Sequence, residues 1–73
     1  MLTPKQITIF EAFLRRPYQE LTYKEIKDYS KEKSNSIIQK AIVTFLKEEL
    51  IKKREVGNII LYMVNLENSV VFS

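Results

Sequence analysis

The chain has 73 residues, 12 Lys+Arg against 9 Asp+Glu, and a net charge of +3. It has no Cys and no His, which excludes disulfides, thiolate nucleophiles, zinc fingers and histidine general bases. One Gly excludes a glycine-rich phosphate loop.

The size fits one small domain spanning 1–73, with little stability to spare. No apolar run reaches the ~20 residues of a membrane span. No signal peptide is visible at Met1-Leu2-Thr3-Pro4. A soluble, cytoplasmic, non-enzymatic module is expected, with no cofactor and no metal. The sequence pI of about 9.3 permits a polyanion partner without demanding one. Frequent Ile and Lys with scarce Gly and Cys fit a thermophile's composition.

The first helix is expected over about 3–16. Thr3 can cap it, Pro4 suits its first position, and Gln6 can return a bond to the cap. Pro17 disfavours helix at the residue before it. Ile7, Phe10 and Leu14 fit one core face, and Ile9 and Phe13 lie to one side.

The same start device recurs at Thr22 and Glu25, with Leu21 and Ile26 as a hydrophobic staple. A short helix is expected over about 22–30, with Ile26 and Tyr29 inward. A polar stretch, Lys31-Glu32-Lys33, leads to a third helix over about 35–49. Either Ser34 or Asn35 can cap it. Ile37, Ile38, Ala41, Ile42, Phe45 and Leu46 share one half of its wheel. Ser36, Gln39, Lys40, Val43, Thr44 and Lys47 share the other.

After Leu50 the period changes to about 2. Gly57-Asn58 signals a two-residue turn of type II′ or I′, within a hairpin over about 50–65. Such a loop pairs Val56 with Ile59, Arg54 with Leu61 and Lys52 with Met63. Residues 66–73 are expected to form a tail.

Three helices followed by a β-hairpin, with a longer amphipathic third helix, make a specific order. Thr22-x-x-Glu25-Ile26, Ser34-Asn35-Ser36 followed by Ile38, Ile42 and Phe45, and Leu50-Ile51-Lys52-Lys53 with Tyr62-x-Val64-Asn65 resemble the winged helix-turn-helix superfamily. With the first helix included, the resemblance covers about 65 residues. The segment from Tyr62 to Asn68 is similar to the ends of small archaeal winged-helix domains, some of them free regulators and some fused to nucleotidyltransferases. The turn before helix three lacks the Gly common in the family, and the wing tip is short and uncharged.

The resemblance implies an α+β winged helix that binds double-stranded DNA in transcription control, with helix three in the major groove. On that face Gln39 can bond adenine, Lys40 can reach guanine or phosphate, Ser36 and Thr44 are adaptable, and Val43 can touch a thymine methyl. Phosphate contacts are expected from Tyr23, Lys24, Lys31, Lys33, Lys47, Lys53 and Arg54. Ile9, Phe13, Val70, Val71 and Phe72 are the expected homodimer interface. The alternatives are a protein-interaction module or the N-terminal domain of a larger protein.

Overall fold

The computed structural model describes residues 2–67. Three helices precede an antiparallel hairpin: α1 (Pro4–Leu14), α2 (Tyr23–Ser30), α3 (Asn35–Lys47), β1 (Ile51–Val56) and β2 (Ile59–Val64).

Each helix begins where a side chain can satisfy its free amides. Thr3 accepts from the Gln6 amide at 3.2 Å, and the Gln6 side chain accepts from the Thr3 amide at 3.0 Å. Thr22 and Glu25 repeat the exchange at 3.2 and 2.9 Å. Ser34 caps α3 by accepting from the Ile37 amide at 3.4 Å, which settles the choice between Ser34 and Asn35. Two reciprocal caps of this kind fix where α1 and α2 start and how the chain enters them.

The ends of α2 and α3 are set by left-handed residues other than Gly. Lys31 closes α2 at φ 60°, and Glu49 follows α3 at φ 58°. The Leu50 amide donates to the Phe45 carbonyl at 2.8 Å, and the Glu49 amide to Leu46 at 3.1 Å. These are the two bonds of a Schellman ending, so α3 stops at Lys47 rather than at Glu49. The first helix stops at Leu14, two residues before the expected end: the Arg15 amide makes the last i→i−4 bond, to Glu11, the Arg16 amide tightens to i→i−3 on Phe13, and Pro17 has no amide to continue.

The core corrects the reading of α1. Ile9, Ala12 and Phe13 are its buried residues, whereas Ile7 and Leu14 are 50% and 42% exposed. Ala12 completes an i, i+3, i+4 stripe with Ile9 and Phe13. Phe13 stands edge-on to Phe45 with ring centroids 6.2 Å apart, and Phe10 tilts against Phe45 at 5.1 Å. Ile9 and Phe13, at 1% and 0% exposure, are therefore core residues and do not form a dimer surface. Val70, Val71 and Phe72, expected at the same interface, lie outside the described residues.

The hairpin register is as expected: Val56↔Ile59, Arg54↔Leu61 and Lys52↔Met63. Gly57 takes φ +61° while Asn58 is not among the positive-φ residues, the pattern of a type II′ turn. Leu21 adds a short third rung. It exchanges two backbone bonds with Tyr62, at 2.7 and 2.8 Å. This bridge ties the segment before α2 to the second strand and holds the hairpin against the helices.

Candidate nucleic-acid interface

The outer half of α3 is free of the core. Ser36, Gln39, Lys40 and Lys47 are exposed, Thr44 is half-buried, and Val43 is 65% exposed. The opposite half, Ile38, Ala41, Ile42 and Phe45, is buried, and that burial fixes the rotation of the helix.

Two shallow depressions flank this outer half. One is lined by Gln6 of α1 with Ser36, Gln39, Lys40, Val43 and Thr44. The other lies between α3 and the hairpin, where Gln39, Ile42, Val43 and Leu46 face Tyr23, Lys53 and Tyr62. Each holds one Lys and no carboxylate. Gln39 and Val43 belong to both and thus form the crest between them.

The start of α3 is braced from α2. The Tyr23 hydroxyl lies 3.1 Å from the Asn35 carbonyl, to which it donates, and 3.3 Å from Asn35 Oδ1. Lys27 Nζ donates to the same Oδ1 at 2.8 Å. Tyr23 was expected on phosphate, yet its hydroxyl proton already serves this brace. Burial first, and the nearby Tyr23 second, push the Tyr62 hydroxyl above its ordinary value of 10.0. Lys27 was not singled out in the sequence, and Asn35 only as an alternative cap of helix three and as part of the Ser34-Asn35-Ser36 motif. Their signal is the one-turn spacing from Tyr23 to Lys27, which puts both on one side of α2.

The basic cluster at the hairpin is split. Side chains alternate along a strand, so Lys53 shares a face with its partner Tyr62, while Lys52 and Arg54 share the other. Lys53 lines the depression beside α3. Arg54 is held elsewhere: its Nε and Nη2 donate to the two carboxylate oxygens of Glu20, at 2.8 and 2.6 Å. The guanidinium holds the Glu20 carboxyl below its usual 4.5, first by hydrogen bonding. Lys52 pairs with Glu67 at 3.3 Å. Arg54, expected on phosphate, thus belongs to an ion pair.

Lys24 is exposed in the first turn of α2, and Lys31 and Lys33 are exposed in the turn before α3. Lys31 lines a third depression with Pro4, Lys5, Thr8 and Glu32, beside the start of α1. It does not line either depression along α3. Glu32 caps the same turn by accepting from the Ser34 amide at 3.0 Å, with Lys5 Nζ 3.7 Å away.

Among the described residues no group of three or more His, Cys, Asp or Glu is placed to hold a metal ion. No described helix is long and apolar enough to cross a membrane.

No family model matches the chain, and no curated protein matches it. Its three-dimensional arrangement does have a solved counterpart. The ferric uptake regulator from Francisella tularensis, determined with iron, superposes with a TM-score of 0.80 at 12% identity over 93% of this chain. The fold is a winged helix. The chain spans 55% of that neighbour's length. In winged-helix terms α2 and α3 form the helix-turn-helix and the β1–β2 hairpin forms the wing.

Proposed function

We propose that this winged helix binds double-stranded DNA, with the outer face of α3 in the major groove, and that it acts in transcription control. One observation supports the reading most: Ser36, Gln39, Lys40 and Val43 project from a helix braced by Tyr23 and Lys27 and line two depressions between them, each with a lysine and no carboxylate. A major groove admits an α-helix, and base edges are read by short polar and apolar groups. Lys40, Lys47, Lys24 and Lys53 then meet phosphates, with Lys33 at the turn. The neighbour's printed description as a regulator agrees with this reading. The module is non-catalytic, cytoplasmic and homodimeric, and its dimer surface excludes Ile9 and Phe13.

The test is amide chemical-shift mapping of the uniformly labelled protein titrated with a 20-base-pair duplex. Shifts concentrated at Ser36, Gln39, Lys40, Val43, Lys53 and the first turn of α2 are expected. Shifts confined to the hairpin outside Lys53, or none at all, overturn the reading.

A second reading, protein interaction, is favoured by the apolar wing tip. Val56 and Ile59, paired across the turn, are 47% and 56% exposed. The same titration separates the two, because a partner-binding wing leaves α3 unshifted by DNA.

A further inference from the structure

We infer that Gln39 and Val43 are the specificity-determining pair of this surface, and that they select A·T base pairs from the major-groove side. The inference rests on the DNA-binding reading above and adds to it the class of sequence recognised.

The two residues form the crest of α3: both line the depression on the α1 side and the depression on the hairpin side. A helix laid in the major groove brings its crest nearest to the base edges. Four residues of helix advance ~6 Å, so the pair reaches bases within two steps of ~3.4 Å each.

Chemistry then decides which bases. A glutamine amide offers one donor and one acceptor, which match the N7 acceptor and N6 donor of adenine. Val43 offers only apolar surface. It is 65% exposed on a face that otherwise carries Ser36, Gln39, Lys40, the half-buried Thr44 and Lys47. In the major groove the apolar group is the thymine 5-methyl. Val43 beside a G·C pair would instead meet the polar edges of guanine and cytosine and leave them unpaired. The commonest guanine reader is Arg, and α3 contains none. Lys40 and Lys47 are the cations on the face, and both are equally suited to phosphate.

The Ser36 and Thr44 hydroxyls bond either base pair, and the groups on the hairpin side of the crest make no sequence choice. Lys53 meets phosphate. Tyr23 is committed to Asn35. Specificity therefore rests on the crest.

The experiment uses fluorescence anisotropy with four duplexes of equal length and charge. They are an alternating A·T duplex, the same duplex with deoxyuridine for every thymidine, a G·C duplex and an inosine·cytosine duplex. Deoxyuridine removes only the 5-methyl. Inosine·cytosine keeps the major-groove edge of G·C and the minor-groove edge of A·T.

For the wild-type protein, A·T is expected to bind at least fivefold tighter than G·C, matching one bidentate contact. Deoxyuridine is expected to cost about fourfold for each methyl buried. Inosine·cytosine should bind like G·C. Val43→Ala should lose the deoxyuridine effect, and Gln39→Ala should lose most of the remaining A·T preference. Both positions are exposed, and circular dichroism checks that the variants stay folded. Equal binding to all four duplexes overturns the inference while leaving the DNA-binding reading intact. So does an inosine·cytosine duplex that behaves like A·T, which assigns the preference to the minor groove. A deoxyuridine effect that survives in Val43→Ala also overturns it. Failure to bind any duplex overturns both.

Discussion

Arg54 and Glu20 stand 34 residues apart in sequence and meet through two parallel hydrogen bonds, at 2.8 and 2.6 Å. The pair fastens the outer face of the wing to the segment between α1 and α2. It lies beside the Leu21–Tyr62 bridge, which joins the same two regions through backbone. A fork-to-fork pair of this kind takes up the guanidinium's geometry as well as its charge.

The adjacent cations Lys53 and Arg54 therefore have different roles. Lys53→Ala is expected to weaken duplex binding and lower the salt slope by about 1, as the loss of one phosphate contact does. Arg54→Ala carries the same change in net charge and should cost clearly less affinity. Anisotropy with one duplex compares the two variants directly. The reverse order would place Arg54, rather than Lys53, on DNA.

The ion pair also gives stability a pH dependence of known sign. Arg54 lowers the Glu20 pKa from 4.5 in the folded protein. Stabilisation by the pair is thus present above that value and is lost as pH falls through the lower folded value. Thermal melts of wild type and Glu20→Gln should differ near neutral pH, with wild type higher. The two should converge as the pH falls through the lowered folded value of Glu20. A gap that widens on acidification contradicts the assignment.

Phe13 is fully buried and stands edge-on to Phe45. Phe13→Ala should cost about 3–5 kcal/mol. A domain of this size has on the order of 4–11 kcal/mol in total, so the variant loses much of its stability and in the weaker case unfolds. Denaturant unfolding at two protein concentrations is the measurement. A folded, monomeric Phe13→Ala with an unchanged midpoint would return Phe13 to an intersubunit surface.

Lys31 occupies a left-handed position at φ 60°, where a side chain costs about 1–2 kcal/mol. Lys31→Gly relieves that cost and gives part of it back as unfolded-state entropy. A net gain of about 0.5–1 kcal/mol is expected, raising the melting temperature by a few degrees. A fall instead would mean that the Lys31 side chain contributes more than its backbone costs.

These positions also mark what can be read from the chain. Thr3 with Gln6 and Thr22 with Glu25 are local signals, three residues apart, and their caps form as their spacing predicts. The Gly57-Asn58 turn fixes the wing register within a few residues of itself. The outer face of α3 follows from its own period. Phe13 is different. Which side of α1 is buried depends on Phe45, 32 positions later, and on Ala12, which is small enough to let α1 approach its neighbours. The separation of Lys53 from Arg54 needs the strand pleat, and the capture of Arg54 needs Glu20 beside it. Lys31 hides its left-handed geometry because nothing in a lysine announces it. Interactions within one turn of chain were legible; those that depend on the packed arrangement were not.

The central claim is that α3 and the base of the wing hold a DNA duplex by its phosphates and read it through the crest. Fluorescence anisotropy of a labelled duplex across a salt series tests it most directly. With about five phosphate contacts, log K should fall against log salt with a slope of about −4.5. Lys40→Ala combined with Lys47→Ala should make that slope shallower by about 2. A folded protein that binds no duplex at low salt, or whose slope the double variant leaves unchanged, would contradict the account.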